Sequence, residues 1–265
     1  MSFGKIFLLL GLLNAIMPIA NAEPPHWTYD EQVNNPSNGW GALLDDKEKL
    51  APYNFPYAEC SIGQHQSPVA LSREIKPSKI NLLSPYYPKD RVEFFNTGHA
   101  VQLVPSDGYK GRLMIGKESY PLTQIHFHSP SEHLIESEQF DAEAHFVHVR
   151  DDGRIAVLGV MFKVSNYGNP VVDLLLNNTL DEEHSSNKPN IWVDLSRLLP
   201  NDLKHFYTYA GSLTTPPCSE GVAWYVLSEP LSISESQLMR LQGFYKDNFR
   251  VTQPLNGRVV TGVSD

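Results

Sequence analysis

Two short stretches carry residues whose type and spacing suit metal chemistry. The first is Gln124-Ile-His126-Phe-His128. Side chains two apart on a strand share a face, so Gln124, His126 and His128 would point one way and Ile125 and Phe127 the other. The second is Glu143-Ala-His145-Phe-Val147-His148, where Glu143, His145 and Val147 share a face opposite Ala144, Phe146 and His148. If the two strands are antiparallel neighbours, three imidazoles converge with the reach of about 2 Å that zinc takes. Three protein ligands leave a fourth position for water, the pattern of a catalytic rather than a structural zinc. Gln124 and Glu143 each stand two residues before a histidine and can hold its second ring nitrogen. A plainer reading stands against this, because a lone strand histidine is usually solvated or hydrogen-bonded and HxH arises by chance. His133 and His148 fall off these faces and read as structural. His26, His65, His184 and His205 receive no metal role.

The elements that must position these residues read as strands. Twenty prolines and seventeen glycines punctuate short runs rich in Val, Ile, Phe, Tyr and Thr. Such runs are Val92–Asn96, Val101–Val104, Gln124–His128, Ala142–Val149, Ile155–Val164 and Val222–Ser228, an antiparallel-rich β pattern. Helical pattern is scarce. Asn169 before Pro170, followed by Val171, Val172, Leu174, Leu175 and Leu176, predicts one short helix. Ser232-Ile-Ser-Glu235 reads as a capping box opening a second helix toward Phe244. Residues 23–68 show little strand pattern and are expected to wrap the surface. No repeat or linker divides the chain, so a single domain over 23–265 is the economical reading.

Composition sets the outer bounds. With 265 residues, 41% hydrophobic and 19% charged, the chain can bury a full core and is neither disordered nor a coiled coil. A formal charge of −9 makes nucleic acid and anionic membrane poor partners. Residues 1–22 read as a signal peptide: Lys5, the apolar run from Ile6 to Leu13, then Ala20-Asn21-Ala22 before a cut after Ala22. No other stretch is long enough to span a bilayer. Export, to a periplasm first and otherwise to the medium, suits Cys60 and Cys218, since two cysteines in an oxidising compartment most often form one bridge.

In order along the chain stand His26-Trp-Thr-Tyr29, Gln66-Ser-Pro68, Asn96-Thr-Gly-His99, Gln124–His128, Ser131-Glu-His133 and Glu143–His145. They are followed by Ala156-Val-Leu-Gly159, Gly211-Ser-Leu-Thr-Thr-Pro-Pro217 and Asn248-Phe-Arg250. In this ordered set the chain resembles the α-class carbonic anhydrases. The resemblance implies a mainly β single domain, a large and mostly antiparallel twisted sheet of about ten strands with a few short peripheral helices and zinc in a conical cavity. It implies Zn2+ on His126, His128 and His145, and reversible hydration of carbon dioxide to bicarbonate and a proton by zinc-held hydroxide. In that family zinc brings the pKa of its water to about 7. Thr214 would accept the hydroxide proton and pass its own to Glu132, while the Thr214 N–H and Thr215 would contact bicarbonate. Val147, Val157, Leu213, Val222 and Trp224 match the apolar wall for CO2, although as bare sequence each is ordinary core.

By the same resemblance, His128 leans on Asn248, Cys60 pairs with Cys218, and Arg250 is structural. His99 takes the proton-shuttle position, and Tyr29 orders water near it. Thr97 and Gln102 stand where animal members carry asparagines along the proton path. Primary sulfonamides and simple anions would inhibit. Two other classes compete: a non-catalytic binding or receptor module on the same fold, and a zinc hydrolase of esters or peptides. The absence of HExxH weakens the second, though weak ester hydrolysis could accompany CO2 hydration.

Overall fold

A computed structural model describes residues 25–31, 39–45, 47, 51, 53–72, 76–78 and 83–263. The leader reading of residues 1–22 falls outside them. A 13-stranded sheet organises the chain. Its path runs Ser185–Asn187, Glu93–Asn96, Val101–Val104, Glu118–His128, Ala142–Val149, Ile155–Ser165, Glu220–Leu227, Phe206–Ser212, Thr261–Val263 and Lys76–Pro77. Most pairings are antiparallel, as expected. Ile155–Ser165, however, runs parallel to Glu220–Leu227 and to Leu231–Ser234, and Thr261–Val263 runs parallel to Lys76–Pro77, so the sheet is mixed. Among the described residues no helix is long and apolar enough to cross a membrane.

The predicted alternation holds where it matters. Ile125 and Phe127, Ala144 and Phe146, and Leu158, Val160 and Phe162 fall in one apolar cluster. Helix Pro170–Asn178 adds Val171, Val172, Leu175 and Leu176 to that cluster. Burying this face removes water from large aliphatic and aromatic surfaces, the main force holding the sheet in shape. The opposite face carries a second, smaller cluster of Val69, Leu71, Val157, Met161, Tyr207, Tyr209, Val222, Trp224 and Val226. The candidate histidines lie on this second face.

The helix over Pro170–Asn178 starts as predicted, with the Asn169 side chain accepting from the N–H groups of Val171 and Val172. The second start needs correcting. Ser232 lies in strand Leu231–Ser234, and the helix Glu235–Phe244 is capped by Ser234 and Gln237 in a reciprocal box two residues later. Ile233, buried beside the parallel neighbour, holds the earlier residues in the sheet. Between residues 23 and 68 the described residues form short helical turns and no strand. The segment is not wholly peripheral, because Trp40 is 2% exposed and Gln66 and Ser67 are buried.

Candidate metal centre

Strands Glu118–His128 and Ala142–Val149 are antiparallel neighbours, with His145 directly opposite His126 and Glu143 opposite His128. This register brings the three imidazoles together: one ring nitrogen from each of His126, His128 and His145 lies within 4.8 Å of the others. The second nitrogen of each ring is held. Nδ1 of His126 is 2.9 Å from Gln124 Oε1, Nδ1 of His128 is 2.7 Å from the backbone oxygen of Asn248, and Nε2 of His145 is 2.9 Å from Glu143 Oε1. Each bond fixes a tautomer and leaves a lone pair on the inward nitrogen. Asn248 therefore supports His128 through its backbone. Its side chain donates to the backbone oxygens of Phe127 and His99 and accepts from Ser129 N–H, tying three segments together.

The donor set fits a zinc ion by its own chemistry. Nε2 of His128 is buried without a hydrogen-bond partner, an arrangement that normally costs about 1–3 kcal/mol unless something binds the atom. Nδ1 of His145 and Nε2 of His126 face each other at 3.2 Å. Burial lowers the pKa of all three rings: His126 falls well below the usual range, with His128 and His145 adding to the effect, and His128 is brought to about 4. Neutral imidazoles are the ligating form. Three neutral nitrogens in a tight cluster match a three-histidine zinc site.

Glu143 is the pivot beneath the cluster. Burial alone would raise its carboxyl, yet the electrostatic pull of the His133 and His145 rings and the hydrogen bonds they make hold it well below the carboxylate range. Oε1 meets Nδ1 of His133 at 2.8 Å as well as His145, while Oε2 accepts from the N–H groups of Glu132 and His133 at 2.9 Å each. His133 in turn meets the Tyr209 hydroxyl at 2.7 Å. The sequence reading left His133 outside the site, because a loop residue carries no strand parity to betray it. His148 lies on the other face, with Nε2 2.8 Å from the Tyr87 hydroxyl.

Glu132 sits at the cluster's edge, 1% exposed, with Oε2 3.6 Å from His128 Nε2 and 3.8 Å from His145 Nδ1. Burial pushes its pKa up to about 7, opposed by His145, by the Thr214 hydroxyl and by the Arg250 backbone N–H at 2.8 Å. Thr214 neighbours Glu132, whose Oε2 is buried without a hydrogen-bond partner. Val157, Val222 and Trp224 are buried in one apolar cluster, with Val147 and Leu213 packed against it. The Trp224 ring centroid is 4.8 Å from that of His145. The backbone oxygen of Thr215 accepts from Cys218 N–H, and Cys218 is bonded to Cys60.

The remaining residues are spread around this core. His99 stacks on Trp27 at 3.8 Å between centroids, with the ring of His26 at 5.8 Å. Burial first, then the neighbouring imidazoles His26 and His184, bring His99 to about 4, against an opposing pull from Glu183. Trp27, His26 and His184 were not assigned this place by sequence. Tyr29 is half-buried, and burial together with the Glu132 charge holds its phenol well above its ordinary value. Gln102 is paired opposite His126. The Thr97 hydroxyl is engaged in its own turn, donating to Ala100 O and accepting from the N–H groups of His99 and Ala100.

A mixed sheet carrying three converging histidines, a buried carboxylate and a threonine loop is the arrangement of an α-type carbonic anhydrase, and comparison with known proteins agrees. Residues 51–264 match the family model described as eukaryotic-type carbonic anhydrase. A carbonic anhydrase of Klebsiella pneumoniae is 34% identical over 260 residues, covering 98% of each chain. The α-carbonic anhydrase of Thermovibrio ammonificans, solved with the inhibitor sulfanilamide, aligns at a TM-score of 0.76 and 36% identity over 89% of this chain and 98% of that one. Dioscorin DB3L of Dioscorea polystachya is 31% identical over 264 residues, covering 96% of this chain and 92% of the relative. The chain belongs to the α-carbonic anhydrase family.

Proposed function

We propose that this protein catalyses the reversible hydration of carbon dioxide to bicarbonate and a proton, with zinc on His126, His128 and His145. The observation that carries this reading is the unpartnered His128 Nε2 in a cluster of neutral imidazoles beside the Thr214–Glu132 pair. Bound there, zinc would acidify a water so that hydroxide is at hand near neutral pH. The chain's own residues do the rest. Thr214 donates its hydroxyl proton to ionised Glu132, so its oxygen is left as an acceptor. That polarity orients an incoming O–H or N–H and turns away groups that carry no proton. Glu132 keeps this direction only while ionised, and the Arg250 N–H supports that form.

Val147, Val157, Leu213, Val222 and Trp224 offer an apolar wall to CO2, which has almost no polar handle. The Thr214 N–H and Thr215 would meet the product anion. Proton exit falls to His99, with Tyr29 and Gln102 bordering the route. In its stacked position His99 is a weak base, so accepting a proton from a donor near 7 is uphill. The role therefore requires the ring to turn away from Trp27 into water.

Primary sulfonamides should bind this centre, a reading supported by the complex of the Thermovibrio relative with the inhibitor sulfanilamide, and simple anions should compete with them. The Cys60–Cys218 bridge supports an oxidising compartment, so we place the protein outside the cytosol, periplasm first, after loss of residues 1–22. A non-catalytic binding module on the same fold is the alternative, and the dioscorin likeness lends it weak support. Retention of all three histidines together with Thr214 and Glu132 favours the enzyme. Stopped-flow CO2 hydration and ester hydrolysis, each with and without chelator, separate the readings. Chelator-sensitive hydration is expected, and a metal-loaded protein without it would overturn the proposal.

A further inference from the structure

Arg250 is buried in a way that packing alone does not explain. It is 4% exposed, and burial brings its guanidinium down to about 10, with the charge of Glu132 acting in the other direction. Its guanidinium lies over the Trp40 ring, 5.6 Å from the centroid, and its hydrogen bonds lead to the reacting end of the molecule. Nη1 donates to Gln66 Oε1 and to Ser67 O, and Nη2 donates to Cys60 O, each at 2.8 Å. The backbone N–H of the same residue donates to Glu132 Oε1. Cys60 is joined covalently to Cys218, whose N–H donates to Thr215 O. Thr214, the next residue back, neighbours Glu132, whose Oε2 is buried without a hydrogen-bond partner, and its hydroxyl lowers the pKa of that carboxyl.

These links close a ring. It runs from Glu132 to Arg250, on to Cys60, across the bridge to Cys218, through Thr215 to Thr214, and back to Glu132. Gln66 braces its middle, accepting from Arg250 and donating through Nε2 to Cys218 O at 3.0 Å. A hydroxyl and its carboxylate acceptor on separate loops keep their alignment only if both loops share an anchor. The rigid fork of a guanidinium can bind three carbonyl acceptors at once, which an ammonium on a flexible stem does not reproduce.

We propose that Arg250 is a positioning residue for the reaction, its guanidinium locking the backbone N–H that aims Glu132 while holding the disulfide-anchored base of the Thr214 loop. This rests on the carbonic anhydrase reading of the site. Arg250→Lys, with zinc content and free thiols measured, is compared with wild type by stopped-flow CO2 hydration, counting active sites by sulfonamide titration. Expected is a fall of about tenfold in kcat/KM per titrated site, with zinc bound and the bridge intact. Hydrogen exchange of the 213–219 backbone in metal-free, disulfide-intact protein should also accelerate. A merely structural arginine would lower the melting temperature and the yield of active sites while leaving kcat/KM per site unchanged, and that result overturns the proposal. Should Arg250→Lys not fold, Gln66→Met removes one acceptor and the Cys218 link. It should shift both readouts in the same direction, and no shift counts against the role. Absence of CO2 hydration in wild type would instead overturn the reading of the reaction itself.

Discussion

Nε2 of His128 and Oε2 of Glu132 lie 3.6 Å apart, both fully buried and neither hydrogen-bonded. Two such atoms persist in a folded interior when each has a task that a mutual hydrogen bond would defeat. His128 keeps a lone pair for a metal, and Glu132 keeps its charge for Thr214. The rest of the site maintains that separation: Asn248 O takes the other nitrogen of His128, and Arg250 N–H takes the other oxygen of Glu132.

Glu143 orients His145 without touching a substrate. Glu143→Gln should weaken zinc retention by about 10–100-fold, the usual effect of removing such a partner. Activity at saturating zinc should suffer less. Zinc release to a chelator measures the first effect, and an unchanged release rate would remove Glu143 from the metal's support.

The Cys60–Cys218 bridge closes a loop with a sequence separation of 158 residues. In the chain-entropy account such a closure stabilises by about 5 kcal/mol. The Cys60→Ala, Cys218→Ala double variant should fold but melt roughly 10–20 °C lower. Mass spectrometry of the native protein should show a linked peptide pair and a two-hydrogen deficit, and two alkylatable thiols would contradict the pairing.

His148 supplies a pH dependence that can be assigned to one ring. Burial first lowers its pKa to about 4, against hydrogen bonds to the backbone oxygens of Ala156 and Phe146. The unfolded chain, with an imidazole near 6.5, binds the proton first as pH falls. Its contribution is therefore complete above pH 6.5 and is lost progressively down to about pH 4, roughly 3 kcal/mol in all. His148→Gln keeps a partner for the Tyr87 hydroxyl and removes the titration. Its stability should fall less between pH 7 and pH 5 than wild type, by about 2 kcal/mol in denaturant melts. Parallel pH profiles would show that the ring does not titrate as described.

Much of the centre was legible because strand parity is a strict rule. Once Ile125 and Phe127 are buried, His126 and His128 must share the other face, and Ala144 and Phe146 do the same for His145. What parity cannot give is order between strands. The parallel pairing of Ile155–Ser165 with Glu220–Leu227 joins runs far apart in sequence, and no local pattern announces it. Loop residues were least readable. His133 reaches Glu143, and Trp27 covers His99, through backbone paths that hydrophobic spacing does not record. Ser232-Ile-Ser-Glu235 and Ser234-Glu-Ser-Gln237 offer equivalent caps, and sheet pairing of Ile233 selected the later one.

His99→Ala should slow maximal turnover in dilute buffer by less than about a hundredfold and spare CO2–bicarbonate interconversion. The effect is bounded because His99, stacked on Trp27, is a weak base until it turns outward. Imidazole at high concentration should restore turnover by carrying the proton from solution. Wild-type turnover in dilute buffer would remove His99 from the exit path.

The most direct test of the account is a zinc titration of metal-free protein followed by stopped-flow CO2 hydration, run beside His128→Ala. The account predicts that activity rises linearly to one zinc per chain and then stops, while His128→Ala binds zinc weakly and stays inactive. Full hydration by chelated protein, or by His128→Ala, would contradict it.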